Sequence, residues 1–425
     1  MTVIVFLGSL LGAMAVGIPI AFALIVCALA LMLAQGSFDT TILSQKLIEG
    51  ADNYALMAIP FFIFAGELMN KGGMSRRIVE FALSVVGHVR GGLGLVAIFA
   101  AVVMAAISGS ASADAAALGT LLIPMMRKAG YDVPRSAGLI AAGSIIAPCM
   151  PPSTALIIFG VIANVSIGKL FMATIVPGLL LGLALVIAWL WVARKEQVQV
   201  QPRQSAGDMV RAARSAIWAL VMPLGIVGGM KFGIFTPTEA GVAACVYAML
   251  VGMLVHRELK PRDIYPLLVT AAKTTSVIAF LIASALVSAW LITTSAVPQQ
   301  IGALLQPFLD SPRLLMFVIM VLVVIIGTAL DFAPTLMILT PVLMPIVKLA
   351  GIDPVYFGVL FIMNNAIGLI TPPVGIVLNV LSGVSKIPLA DVVRGCWPFL
   401  VAQTGVLFLL VLFPQLVLVP LKWLT

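Results

Sequence analysis

Four short polar stretches interrupt apolar sequence and hold the groups able to do chemistry. They are Ser108-Gly-Ser-Ala-Ser-Ala-Asp114, Ala147-Pro-Cys-Met-Pro-Pro-Ser-Thr154, Gly327-Thr-Ala-Leu-Asp-Phe-Ala-Pro-Thr335 and Asn364-Asn-Ala-Ile-Gly-Leu-Ile-Thr-Pro-Pro-Val-Gly375. Proline lacks an N–H and clashes with the preceding helical turn, so the pairs Pro151-Pro152 and Pro372-Pro373 free backbone carbonyls. Carbonyls and hydroxyls are hard oxygen ligands suited to Na+. Half-helix N-termini aim partial positive charge at anions. One hairpin tip facing one broken helix therefore makes a cation site beside an anion site, and the four stretches supply this twice. Any single break is equally well read as a kink or a small-residue packing motif; four paired breaks favour sites.

Two carboxylates sit in these stretches, Asp114 and Asp331. Ionisable groups at membrane depth are costly and mark function. For Asp114, ion ligation, proton carriage and capping of the helix it opens all stand. Asp331 has no cap role of that kind and belongs near ion or substrate. The other charged residues read more plainly. Glu67 is interfacial, Glu239 pairs with a helix dipole, and Lys273 snorkels. Four dispersed cysteines and two histidines, His88 and His256 in basic loops, build no zinc or haem site.

The elements that must position these groups follow from composition. Of 425 residues, 62% are hydrophobic and 9% charged, and the mean hydropathy is +1.19. A soluble surface cannot be assembled from this, whereas a bilayer suits it. The chain accommodates about ten to twelve crossings or half-crossings. Apolar segments fall at 2–17, 18–35, 54–70, 91–127, 134–165, 168–193, 212–230, 238–255, 264–295, 313–348, 354–384 and 392–421. The first lacks a basic leader region and is expected to be a retained membrane segment. Residues 75–90 read as an interfacial amphipathic helix. The net charge of +8 is explained by cytoplasmic loops, 194–214 and 256–262, rather than by nucleic-acid binding, since no aromatics interleave the basic clusters.

The sequence repeats itself. LLIPMMRKAG at 121–130 returns as VLMPIVKLAG at 342–351, and Pro151, Pro152 and Pro177 return as Pro372, Pro373 and Pro398, all at a spacing of 221. The expected organisation is a first repeat, 1–193, with hairpin 91–127 and broken helix 134–165. A connecting loop, 194–214, and a second repeat, 215–425, with hairpin 313–348 and broken helix 354–384, follow. Basic residues at both ends of 91–127 make it a re-entrant hairpin from the cytoplasmic side, and its partner is expected to enter from the opposite face. Counting crossings puts both termini outside, unless 2–35 is one tilted helix.

IPFFIFAGELMNKGG (59–73), HVRGGLG (88–94), the SGSASAD tip, FTPTEAG (235–241), AAKTTSV (271–277), LTPVLMPIVKLAGIDPVYFGVLF (339–361), NNAIGLITPPVG (364–375) and VLVPLKW (417–423) carry a family resemblance. Together they span essentially the whole chain, which resembles the large, DctM-type permease of tripartite ATP-independent periplasmic (TRAP) transporters. The resemblance implies an all-α polytopic fold of two inverted-topology repeats, arranged as scaffold and elevator-type transport domains. It implies Na+ as coupling ion with no other cofactor, a separate small four-helix membrane subunit, a periplasmic solute-binding protein, and the bacterial inner membrane. Its substrates would be C4-dicarboxylates, sialic acid, or sugar and keto acids. Carried over by position, sodium would be held by Ser108, Ser110, Ala147, Met150 and Pro151 in one half, and by Gly327, Asp331, Ile370 and Thr371 in the other. Substrate would meet Ser112, Ser153, Thr154, Thr335, Asn364, Asn365 and Pro373. Ser112 and the run Ser153-Thr154-Ala155-Leu156 depart from the family pattern, which has valine and a more hydrophobic run there.

Two other classes compete. A passive anion channel would close a ring of identical subunits around a pore, whereas this chain carries its own repeat; concentrative uptake separates the two. An intramembrane enzyme would need a nucleophile and base, or metal ligands, at membrane depth, and the sequence offers no such set.

Overall fold

The computed structural model describes residues 2–36, 38–194, 202–295, 300, 308–309, 311–328 and 332–424. These fold into nineteen α-helices, with no strand among the described residues. A central group repeats at about 221 residues. In the first half it comprises α6 (Gly92–Ser108), α7 (Ala111–Lys128), α8 (Val133–Ser144), α9 (Thr154–Ala163) and α10 (Ile167–Ala193). In the second it comprises α14 (Pro312–Gly327), α15 (Phe332–Leu349), α16 (Pro354–Gly368), α17 (Ile376–Ser385) and α18 (Leu389–Leu412). Around it lie α1 (Thr2–Ala15), α2 (Ile20–Ala34), α3 (Thr40–Ala51), α4 (Ala58–Lys71), α5 (Met74–Val86), α11 (Ala206–Lys231), α12 (Pro237–Leu250), α13 (Pro261–Thr294) and α19 (Gln415–Leu424).

Local chemistry explains the matching boundaries. Asp132 and Asp353 cap α8 and α16, accepting hydrogen bonds from Arg135 N and from Val355 N and Tyr356 N. The Pro151-Pro152 and Pro372-Pro373 peptides, both cis, lie in the breaks that follow. Across the first break the helix bends by 43°. The halves interlock at Phe159, whose ring packs on Phe357 and Phe361 of α16. A Cβ at Gly358 would lie 2.3 Å from that ring. At α8 and α18 the backbones themselves meet, since a Cβ on Gly395 would fall 1.9 Å from the Pro134 carbonyl oxygen. Only glycine permits such approaches, the usual device of helix pairs in a bilayer.

Among the described residues, six helices are long and apolar enough to cross a bilayer: α10, α11, α12 with its π-turn extension to Val255, α13, α15 and α18. The bent pairs α3–α4 and α8–α9 raise the figure to as many as eight. The chain is thus a multi-pass membrane protein. Several predicted apolar segments prove to be half-length helices rather than crossings.

Residues 2–35 form two helices, as the segments 2–17 and 18–35 anticipated, and not one tilted helix. Gly17 turns the chain at a φ of +87° ahead of Pro19, and α1 and α2 pack face to face, with Cys27 Sγ donating to Phe6 O at 3.6 Å. Two other features differ from the sequence expectation. The connecting stretch 194–214 is helical from Ala206, because Ser205 caps α11 by accepting from Asp208 N; residues 195–201 lie outside the described residues. Helix α3 had no place in the apolar count, being polar on one face, and is started by Asp39, which accepts from Thr41 N at 2.7 Å. The amphipathic 75–90 stretch forms α5 against α11, where Arg77 reaches Ser215 and pairs with Glu258 at 2.8 Å.

Candidate functional site

The first hairpin turns at Gly109, whose φ of +60° lies in the left-handed region glycine favours. Ser110 caps α7, accepting from Ala113 N. Asp114 is therefore not the cap; it sits one turn into the helix, and its N–H donates to Ser110 O. Its side chain reaches back across the tip. Ser108 Oγ donates to Asp114 Oδ1 at 2.5 Å and accepts from Ser110 N at 3.2 Å. Asp114 is fully buried, and its Oδ2 has no partner among the described residues. A buried carboxylate with one donor requires a further positive partner or a proton, so ion ligation and proton carriage both stand.

The second tip is built around amides. Asn364 Nδ2 donates to Met320 O and Asn365 Nδ2 to Phe332 O, each at 2.6 Å, tying α16 to both arms of the hairpin. Both asparagines are buried, and each amide oxygen is left without a partner among the described residues. Gly327 ends α14 against Gly368, close enough that a Cβ on Gly368 would lie 2.9 Å from Gly327 O. From a Cβ placed on Gly327, Asn365 Oδ1 would be 3.9 Å away. The Gly327 backbone thus lies against Gly368 and near Asn365 Oδ1, and oxygens of this kind suit a hard cation. Ile370 is buried beside it, and Thr371 Oγ1 donates to Ile367 O. Asp331 lies outside the described residues.

Between the halves lies a cavity of about 210 Å³, lined by Gly109, Ser110, Ala111, Ser112, Pro148, Thr154, Ala155, Phe332, Leu369, Ile376 and Val377. Three lining pairs are related by 221 residues: Ala111 with Phe332, Pro148 with Leu369, and Ala155 with Ile376. The cavity therefore sits where the two repeats meet. The first residues of four helices, α7, α9, α15 and α17, reach its wall. Helix starts leave N–H groups unpaired and carry about half a positive charge each. No lysine, arginine or histidine lines it among the described residues.

Of the residues assigned to substrate from sequence, Ser112 and Thr154 line this cavity. Ser153 is buried as the α9 cap, accepting from Ala155 N at 3.2 Å. Thr335 is buried within α15, Asn364 and Asn365 are buried in α16 against the second hairpin, and Pro373 is exposed in its loop. Among the sodium candidates, Ser110 faces the cavity, while Ala147, Met150 and Pro151 form the buried turn behind Pro148. Sequence reasoning did not single out Pro148, Phe332, Leu369, Ile376 or Val377. The repeat was the signal available for three of them, as partners of residues in the first half.

The model of the DctM component of tripartite ATP-independent periplasmic transporters matches residues 7–416. The 2,3-diketo-L-gulonate TRAP transporter large permease protein YiaN of Escherichia coli is 52% identical over 423 residues, covering all of both chains. The sialic acid TRAP transporter large permease protein SiaM of Vibrio cholerae is 38% identical, covering 96% of each. Among solved structures, the YdaH transporter of Alcanivorax borkumensis superposes with a TM-score of 0.61 at 14% identity, over 87% of this chain and 86% of that one. MtrF of Neisseria gonorrhoeae gives 0.62 at 13%, over 88% and 84%. The last two speak to fold alone. With the family model spanning nearly the full length, and relatives matched end to end, this chain belongs to the TRAP transporter large permease family, the DctM component, and is a transporter subunit rather than an enzyme.

Proposed function

We propose that this subunit imports a small organic acid across the bacterial inner membrane, driven by Na+, after delivery by a periplasmic binding protein. It works beside a separate small four-helix membrane subunit. The reading rests on one observation: four helices start at a single cavity that has no basic side chain on its wall among the described residues. Such a cavity can hold an anion through backbone N–H groups and helix dipoles. Sodium at the neighbouring tips, at Ser108, Ser110 and the carbonyls near Ala147 in one half, and at Gly327 and Asn365 Oδ1 in the other, would offset the carboxylate's charge. Occupancy of one site then favours the other, and this mutual dependence is what coupling requires. In this reading the two repeats lie antiparallel in the membrane, and the central helices move as an elevator against α4, α11, α12 and α13.

The cavity wall narrows the substrate class. One half presents the hydroxyls of Ser110, Ser112 and Thr154, and the other the apolar side chains of Phe332, Leu369, Ile376 and Val377. A hydroxylated acid with one carboxylate fits a wall of that kind better than a symmetric dicarboxylate. The 52% identity to a 2,3-diketo-L-gulonate permease points the same way, to a sugar-derived keto acid. The test is reconstitution with the small subunit and a candidate binding protein. Labelled 2,3-diketo-L-gulonate, sialic acid and succinate would be offered in Na+ or choline. Concentrative, Na+-dependent uptake of the keto acid is expected. Uptake that only equilibrates would favour a channel, and concentrative uptake in choline would remove sodium from the mechanism.

A further inference from the structure

Helix α8 stops being α-helical three residues before the turn that lines the cavity. Ile145 N donates to Ala141 O at 3.3 Å, but Ile146 N donates to Gly143 O at 3.2 Å. The ladder therefore skips the Ala142 carbonyl. Its place is taken from another helix: Gln403 Nε2 of α18 donates to Ala142 O at 2.8 Å. Gln403 is fully buried, and its Oε1 has no partner among the described residues. Two turns earlier, α18 is already fixed on α8, since a Cβ on Gly138 would lie 2.3 Å from Cys396 N. The glutamine thus projects from a rigid support onto the point where the broken helix opens.

We infer that Gln403 is a positioning residue for the first ion site, holding the end of α8 so that the Ala147–Met150 carbonyls keep their aim. The inference rests on the sodium reading above. Shape alone does not demand this side chain. Gly182, 221 residues earlier, occupies the equivalent place in α10, so the second half folds its broken helix without such an amide. A buried polar side chain that the fold itself does without, set on an orphan carbonyl beside the site, acts through that carbonyl. Partners of this kind orient ligands they do not replace.

The experiment measures melting of the detergent-purified full chain while NaCl replaces choline chloride at constant ionic strength. Wild type is expected to show a saturable, Na+-specific rise. Gln403→Met matches the shape without the donor. It is expected to stay folded in choline and to need about tenfold more Na+ for half of the rise. Gln403→Asn, one methylene too short to reach Ala142 O, is read in the same way and decides the matter should the methionine variant not fold. An unchanged Na+ half-saturation in the folded variant, whatever its melting point in choline, overturns the inference alone. Absence of any Na+-specific rise in wild type overturns the sodium reading, and this inference with it.

Discussion

Gly368→Ala tests whether the second tip and its broken helix form an ion site. The new Cβ would lie 2.9 Å from Gly327 O, 3.2 Å from its carbonyl carbon and 3.3 Å from its Cα. All three are backbone atoms, so no side chain can rotate away. To restore ordinary contact the tip must retreat by about half an ångström, and overpacking of this kind costs about 1–3 kcal/mol. The retreat draws the Gly327 carbonyl away from Asn365 Oδ1. If the ion-bound state bears the whole cost, Na+ half-saturation of uptake rises about 5- to 150-fold, at about 1.4 kcal/mol per factor of ten. Gly383→Ala is the control, because nothing lies within 4 Å of a Cβ there; a helix-interior alanine is neutral or slightly stabilising. Uptake is measured in proteoliposomes across a Na+ series, alongside the yield of folded protein. A Gly368→Ala protein that folds and keeps the wild-type Na+ dependence refutes the placement of an ion between Gly327 and Asn365.

Gly395→Ala drives a Cβ to 1.9 Å from Pro134 O, so it should abolish the monodisperse peak in detergent chromatography. Gly405→Ala, with open space around it, should elute as wild type. Thr154→Val removes a cavity hydroxyl but leaves the α9 cap on Ser153. It should raise the substrate KM about fivefold, the worth of about 1 kcal/mol, with kcat little changed. His256 lies past the end of α12, its Nδ1 donating to Gly72 O at 3.1 Å. Burial first, and then the Arg77 charge, hold its pKa below the usual range, partly offset by Glu258. A base that binds its proton more weakly when folded loses stability as pH falls through its unfolded value of about 6.5. Melting from about pH 7.5 to about pH 5.5 should drop more steeply for wild type than for His256→Gln; parallel curves would contradict the assignment.

Much of the central architecture was legible because the breaks are written in residue types. Paired prolines, a Ser-Gly-Ser tip and Asp caps at 132 and 353 fix local geometry whatever the surroundings; α8 and α16 start at Val133 and Pro354, against the expected 134 and 354, whereas α7 starts at Ala111, ahead of the expected Asp114. Helix α3 was missed because hydropathy sees apolar runs, and TTILSQKLIEGA has an apolar face instead. The roles of Asn364 and Asn365 were less legible still. As polar residues in a break they looked like substrate contacts, but their amide nitrogens are taken by Met320 O and Phe332 O. Which way an amide faces depends on carbonyls more than thirty residues away, and no local pattern encodes that. Asp114 shows the same limit: a serine four residues earlier was as good a cap, and geometry alone separates them.

The two halves share a backbone plan but divide the chemistry. Where the second half has Gly327, Asn365 and Gly368, the first has Ala106, Ser144 and Ala147, and Ser144 Oγ is spent on Ile140 O. Where the first half lines the cavity with Ser112 and Thr154, the positions 221 residues on are Ala333 and Gly375. Their proline loops differ as well: Pro151 and Pro152 are buried, whereas Pro372 and Pro373 are exposed. A symmetric pair of sites would grip both ends of a substrate alike. Among the described residues, one half offers hydroxyls and a buried carboxylate, and the other offers amide oxygens and an apolar wall. In the proposed reading such division would give the bound acid a single orientation and the two tips different affinities for the same ion. If both sites bind Na+ as proposed, the second, beside the exposed Pro372-Pro373 loop, is the one expected to exchange its ion first.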